Sequence, residues 1–179
     1  YVSPYFINGL ILEEEFIFKP RAGRGSRGVA FYNNRNILPN LRNLHKSEQT
    51  KWIVQKKIYG DEYSVQIIAD KNKEIKYIIP VLVHEKKGST IFAELNFDED
   101  VIKNCKIIHS SFPVSGIYNI QLIITKNKLV YPFEINPRPS TTFCFLPKIG
   151  INPFKLPSKN IINHNLILDR KISLSRHYS

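Results

Sequence analysis

Tyr131-Pro132-Phe133-Glu134-Ile135-Asn136-Pro137-Arg138 sets a carboxylate and an amide two residues apart in a strand-like run, with an arginine two residues further on. In an extended chain, side chains at i and i+2 share a face. Glu134 and Asn136 therefore offer oxygens to one hard cation. Arg138, between Pro137 and Pro139, carries a guanidinium on backbone that the prolines hold extended. Oxygen ligands beside a guanidinium suit a magnesium-bound phosphate. The bland alternative, polar residues on the wet side of a hairpin, explains Glu134 and Asn136 but not the flanked arginine.

Upstream, Ile117 to Thr125 and Leu129 to Asn136 read as the two strands of a hairpin. A two-residue turn at Asn127-Lys128 puts Gln121 opposite Glu134, and Ile120, Leu122 and Ile124 opposite Ile135, Phe133 and Tyr131. All six of the latter are apolar or aromatic, which assigns them to the core. Gln121, Glu134 and Asn136 then converge on the other face. Moving the turn to Lys126-Asn127 leaves this parity unchanged.

The 179 residues suffice for one good core or two small lobes, and 42% hydrophobic with 23% charged residues is ordinary for a globular chain. The longest apolar stretches, such as Tyr77 to Val83, are strand-sized, so no membrane span is expected. Nor does a basic-then-apolar leader open the chain, and the expected setting is the cytoplasm. Cys105 and Cys144 lack metal-ligand spacing and read as apolar fillers; the five histidines form no zinc pattern. A formal charge of +11 calls for an anionic partner, although dispersed lysines such as Lys71, Lys73 and Lys126 account for much of it as solvated surface. The chain has no methionine, even at position 1, and is read as part of a longer polypeptide.

Phe16-Ile17-Phe18-Lys19-Pro20 reads as a short buried strand, followed by the basic glycine loop Arg21 to Gly28 and the apolar run Val29 to Tyr32. Gly23, Gly25 and Gly28 let backbone amides approach phosphate oxygens, and Arg21, Arg24 and Arg27 add charge. The loop leads into a strand and lacks a Gly-Lys-Ser/Thr ending, so it is neither a Walker loop nor a Rossmann fingerprint. Taken singly, Lys19 is equally an exposed strand-end lysine and the loop equally a surface turn. Spacing predicts a short helix over about 40–49 and an antiparallel meander over 51–58, 62–69 and 75–83. A second helix is predicted from Phe97 to Ile107, opened by Asp98, Glu99 and Asp100.

Taken in order, FIFKPRAGRGSRGV (16–29), VQKKIYGDEYSV (54–65), GIYNIQL (116–122) and FEINPRPS (133–140) resemble the ATP-grasp superfamily, most closely its branch like the carbamoyl phosphate synthetase large subunit. The resemblance covers roughly Phe16 to Ile151. It implies an α+β ATP-grasp fold whose two lobes, with mainly antiparallel sheets, enclose a nucleotide; the preceding domain of relatives is absent from this chain. A small lobe with the glycine loop is expected over 1–52, a large lobe with the metal and ribose sites over 53–150, and a C-terminal extension of unknown role over 151–179.

By motif position, Lys19 is expected to contact phosphate, and Gly23, Gly25, Ser26 and Gly28 to form the mobile loop over the phosphates. Gln55, Lys56 and Ile58 are expected beside the adenine, and Glu62 on the ribose hydroxyls. Gln121, Glu134 and Asn136 fall on the metal positions and Arg138 on the catalytic arginine. The resemblance further implies ATP and Mg²⁺ (with Mn²⁺ as a substitute) as cofactors. ATP phosphorylates a carboxylate, and an amine or thiol attacks the acyl phosphate. Implied partners are the small-molecule carboxylate, the amine or thiol acceptor, an N-terminal domain of the same polypeptide and, as an open expectation, a second copy in a homodimer. Membrane and nucleic acid are not expected partners.

Two departures bear on this. Lys56 stands where many relatives carry a glutamate near the adenine, and little sequence precedes Phe16, so this portion is expected to bind ATP weakly or not to turn over alone. His84 to Ser89, Lys87 above all, is assigned acceptor-side or phosphate contacts. Two other readings stand beside the ligase: a non-catalytic nucleotide-binding module, motivated by Lys56, and a basic nucleic-acid-binding domain, motivated by the charge and the arginine–glycine loop.

Overall fold

Phe16 and Phe18 alternate with less buried neighbours along strand β1 (Glu15–Pro20), and their rings seed the first of two units. The computed structural model describes residues 15–22, 27–33, 51–155 and 172–176. The helix expected over 40–49, and Gly23, Gly25 and Ser26 of the glycine loop, lie outside the described residues. The two units are Tyr1–Tyr59 and Gly60–Ser179.

In the first unit, β1 lies between β2 (Ala30–Asn33) and β3 (Trp52–Lys56), both antiparallel to it. Phe18 stacks on Trp52 with ring centroids 4.5 Å apart and meets Tyr32 edge-on at 6.1 Å. Aromatic pairs in these arrangements add about 0.5–1.5 kcal/mol beyond the area they bury. β3 pairs with β1 from Phe16↔Lys56 to Pro20↔Trp52, which places it in the unit that ends at Tyr59.

The second unit is a six-stranded sheet in the order β8-β7-β4-β5-β6-β9, every neighbouring pair antiparallel. Its strands are β4 (Asp61–Ala69), β5 (Ile75–Lys87), β6 (Ser89–Leu95), β7 (Gly116–Ile124), β8 (Val130–Asn136) and β9 (Ser173–Ser175). The pairing of β9 with β6 places residues 173–175 within this unit, where the sequence reading had an extension of no readable role. Two long apolar strands, β4 and β5, form the centre and pair as the meander predicts; its first strand, over 51–58, does not join them, because β3 pairs with β1 in the other sheet.

Helix α1 (Glu99–Ser111) covers one face of the sheet. Its Val101, Ile102 and Cys105 pack with Tyr63, Val65, Ile67, Ile78, Tyr118, Ile120, Leu122 and Ile124. Burying one such aliphatic side chain is worth about 1.5–3 kcal/mol. Asp98 caps the helix by accepting a 3.1 Å bond from Val101 N, and Glu99 and Asp100 meet the positive end of the helix dipole. The acidic opening was read correctly; the helix runs four residues further than predicted. Desolvation in this core pushes the Cys105 thiol up to about 12.

The opposite face is divided. Ile68, Tyr77 and Ile79 are covered by Leu146, Ile149 and Ile151 around the short helix α2 (Phe145–Lys148). Along β4, Glu62, Ser64 and Gln66 share that face but carry polar side chains, so half of it stays polar. The candidate site residues Glu62, Gln121, Glu134 and Asn136 lie on this half.

Gly60 enters β4 against the backbone of β7. A Cβ there would lie 2.2 Å from the Ile124 carbonyl oxygen, and the Asp61↔Ile124 pairing leaves that oxygen little room to move. The Gly60→Ala protein is expected to lose about 1–3 kcal/mol of stability, as overpacking does. Urea denaturation of the two proteins measures the loss; equal midpoints would contradict it.

Candidate functional site

The β7–β8 ladder pairs Asn119 with Asn136 and Gln121 with Glu134. Four oxygen-bearing side chains thus form a rectangle on the polar face of the sheet. Asn119 is wholly buried, Gln121 and Asn136 are half-buried, and Glu134 is exposed. The expected convergence of Gln121, Glu134 and Asn136 on one face is present in the backbone register.

The turn that delivers it differs from the expected one. Thr125 O accepts from Lys128 N at 2.9 Å and Leu129 O accepts from Thr125 N at 2.9 Å, which closes a three-residue loop with Lys128 at φ 62°. An odd loop reverses the parity. A bulge between Gln121 and Leu122 then restores it, with Phe133 the extra residue on β8. Near the turn the pairs are therefore Leu122↔Pro132, Ile123↔Tyr131 and Ile124↔Val130. Tyr131 and Phe133 do not face the core as expected, and Ile135, opposite Ile120, is 47% exposed.

Lys86, not Lys87, reaches this face. Its ammonium hydrogen-bonds the Glu62 carboxylate and, at 3.0 Å, Gln121 Oε1, and it lies 5.9 Å from the centre of the Phe133 ring. The sequence offered both lysines. A register shift in β5 between Val83 and Glu85 decides between them.

Beside Gln121, on the same face and including Asn119, lies a buried cluster of hydroxyls and amides that the sequence reading did not pick out. Asn119 Nδ2 donates to Ser64 Oγ at 3.0 Å and to Val65 O at 3.1 Å. A flipped amide would set its oxygen against the Val65 carbonyl, so this orientation is fixed. Gln66 Nε2 donates to Ser140 Oγ at 2.5 Å, and Ser140 Oγ lies 2.7 Å from Thr142 Oγ1. Among the described residues, Gln66 Oε1 and Asn119 Oδ1 are buried without a hydrogen-bond partner. Each such group costs about 1–3 kcal/mol. Stability alone therefore does not account for the cluster.

Arg138 is exposed, and its N–H donates to Asn136 O at 2.8 Å while its guanidinium donates to Pro139 O at 3.2 Å. The donor set for a cation is one carboxylate and two amide oxygens. Hard oxygen donors fit Mg²⁺, and a single formal charge leaves the balance to phosphate and water. Among the described residues no three His, Cys, Asp or Glu side chains gather to hold a metal by themselves.

The remaining predicted residues lie in the first unit. Lys19 pairs with Ile53 and Gln55 with Ile17, so Lys19 and Gln55 share a face of that sheet, while Lys56, opposite Phe16, lies on the other. Gly28 has φ 75°, where a side chain is strained, and a Cβ would stand 3.4 Å from Pro20 Cδ. Ile58 follows β3. Beside it Lys57 bridges to Glu15 at 2.7 Å, and Tyr59 hydrogen-bonds the same carboxylate. That contact with Lys57, and next the one with Tyr59, holds the Glu15 carboxyl below the usual range; the Glu15 bond holds the Lys57 ammonium above its own.

Residues 7–142 match the ATP-grasp domain family. This chain belongs to the ATP-grasp family. Among solved structures, the ATP-grasp chain is similar to N5-carboxyaminoimidazole synthetase of Staphylococcus aureus complexed with ADP (19% identity, TM-score 0.59, covering 75% of this chain and 37% of that one). It is similar to biotin carboxylase of Campylobacter jejuni in a β-γ-ATP complex (18%, TM-score 0.63, 80% and 38%). A third is the L-amino acid ligase of Bacillus licheniformis (16%, TM-score 0.61, 81% and 38%). At these identities the likeness is one of fold. The ATP-grasp chain spans less than two-fifths of the length of each. No helix among its described residues is long and apolar enough to cross a membrane.

The Lys86–Glu62 pair is partly exposed on both sides, at 29% each, so solvent screens it. Lys86→Met is expected to change stability by less than about 1 kcal/mol. Equilibrium urea unfolding checks this; a larger loss would make Lys86 a structural staple.

Proposed function

We propose that this chain is the C-terminal ATP-grasp portion of an ATP-dependent carboxylate–amine or carboxylate–thiol ligase working through an acyl phosphate. Family membership and the neighbours, named a synthetase, a carboxylase and an amino acid ligase, support that class. The observation that carries it is the alignment of Gln121, Glu134 and Asn136 on one sheet face, with Arg138 two residues beyond. Since the chain spans so little of its relatives, completion by further sequence of the same polypeptide is part of the proposal.

Gln121, Glu134 and Asn136 would hold Mg²⁺ through their side-chain oxygens. When bound, the metal neutralises charge on the phosphates. Lys19 supplies a point charge to phosphate and Arg138 a guanidinium to the transferring group and the acyl phosphate. Gly28, with its loop, brings backbone N–H groups to phosphate. Glu62 accepts from ribose hydroxyls, and backbone groups around Gln55, Lys56 and Ile58 read the adenine edge. Lys86, already on Glu62 and Gln121, adds a second cation on the phosphate side.

In the reaction a carboxylate oxygen bonds the γ-phosphorus as the β–γ bridging bond breaks, its electrons leaving on ADP. The nitrogen or sulfur lone pair then attacks the acyl carbon. Phosphate departs with the C–O electrons, and the nucleophile's proton passes to solvent. No protein nucleophile is needed, so catalysis rests on position and charge.

Isothermal titration of the intact protein with ATP, with and without Mg²⁺, tests the binding half. Mg²⁺ is expected to tighten ATP binding about tenfold or more in the wild type and to lose that effect in Glu134→Ala. Equal titrations in the two proteins would overturn the metal assignment. ADP release that depends on adding both a carboxylate and an amine or thiol tests the ligase half; ATP binding without such release favours the non-catalytic module.

A further inference from the structure

Between the end of β8 and Ser140, the chain has no backbone N–H to offer the sheet. Pro137 and Pro139 lack one, and that of Arg138 is spent within the segment on Asn136 O at 2.8 Å. Arg138 therefore hangs between two anchors. One is the ladder pair Asn119↔Asn136; the other is the Ser140 side chain.

Both anchors run into the same buried cluster. Gln66 is the β4 partner of Asn119 and donates to Ser140 Oγ; Asn119 donates to Ser64 Oγ on β4. Ser140 Oγ accepts from Gln66 Nε2 at 2.5 Å and from Thr142 N at 3.2 Å, which occupies both lone pairs. Its own proton must then go outward, and Thr142 Oγ1 at 2.7 Å is the nearer of its hydroxyl neighbours. Thr142 Oγ1 lies 3.2 Å from Ser64 Oγ and so closes the ring back to Asn119. Gln66, Asn119 and Thr142 are completely buried, so water does not soften these bonds. The cluster also keeps two amide oxygens unpaired, an adverse arrangement that an apolar core would avoid.

We propose that Gln66, Asn119 and Ser140 are positioning residues: a buried brace that sets where Asn136 and Arg138 stand relative to Gln121 and Glu134. The brace touches neither nucleotide nor metal and rests on the proposed nucleotide reading. It makes the metal's help in binding ATP depend on buried side chains beside the site. Residues that orient metal ligands from behind typically matter about 10- to 100-fold in metal affinity.

ATP titrations of the intact protein in Mg²⁺ and in EDTA test this for Gln66→Met, Ser140→Ala and Ser140→Thr. Gln66→Met exchanges the amide for an apolar chain of similar length and keeps the variant set informative should Ser140→Ala fold poorly. The tightening of ATP binding by Mg²⁺ is expected to fall about tenfold or more in Gln66→Met and Ser140→Ala. Affinity in EDTA is expected to fall by less than affinity in Mg²⁺, through Arg138 alone, and Ser140→Thr, which keeps the hydroxyl, to restore the metal effect. A metal effect unchanged in the folded variants overturns the brace while leaving the nucleotide reading intact. Equal losses in Mg²⁺ and EDTA also overturn it, because a general structural defect acts on both. A wild-type protein that shows no metal effect overturns the nucleotide reading, and the brace with it.

Discussion

One extra residue in β8 decides what this face of the sheet can do. The Lys126–Lys128 loop is odd, so a regular ladder from it would turn Glu134 and Asn136 toward helix α1, among Ile120, Leu122 and Ile124. There Glu134 would stand opposite Ile120, on the sheet face away from Gln121. The bulge at Phe133 puts it back on the polar face, opposite Gln121. The shared face of the candidate metal ligands Gln121, Glu134 and Asn136 follows from that shift.

The polar face grades from rigid to open. Gln66 and Asn119 are fully buried, Gln121 and Asn136 half-buried, and Glu134 and Arg138 exposed. A site on strands with a buried hydrogen-bonded cluster beside it holds its geometry better than one on loops. Its charge is balanced differently from a metal cage: one carboxylate, with Lys86 already leaning on Glu62 and Gln121. Such a set binds a divalent ion weakly alone and well when a polyphosphate brings its own charge. Metal and nucleotide are therefore expected to bind as a unit.

Much of this was legible in the sequence, though partly for compensating reasons. Gln121 was set opposite Glu134 by assuming a two-residue turn and an unbroken ladder; the real turn is one residue longer and the bulge removes the difference. Tyr131 and Phe133, lying between the two irregularities, were misplaced for the same reason. The α1 opening was readable because Asp98 acts locally through Val101 N. The brace was not readable: Ser64, Gln66 and Asn119 stand inside apolar strands, and only cross-strand register and a contact 74 residues away in sequence give them a purpose. Lys86 and Lys87 could not be told apart without the shift in β5. The partner of β3 was not readable, because β3 continues the apolar alternation of the strands after it while pairing with β1.

The most direct test is anomalous diffraction from crystals of the intact protein grown with ATP and Mn²⁺, which locates the metal without reference to the fold. The Mn²⁺ peak is predicted at bonding distance from side-chain oxygens of Gln121, Glu134 and Asn136 and from phosphate oxygens of the nucleotide. A Mn²⁺ ion held on the phosphates with all three of those side chains beyond bonding distance would contradict the account.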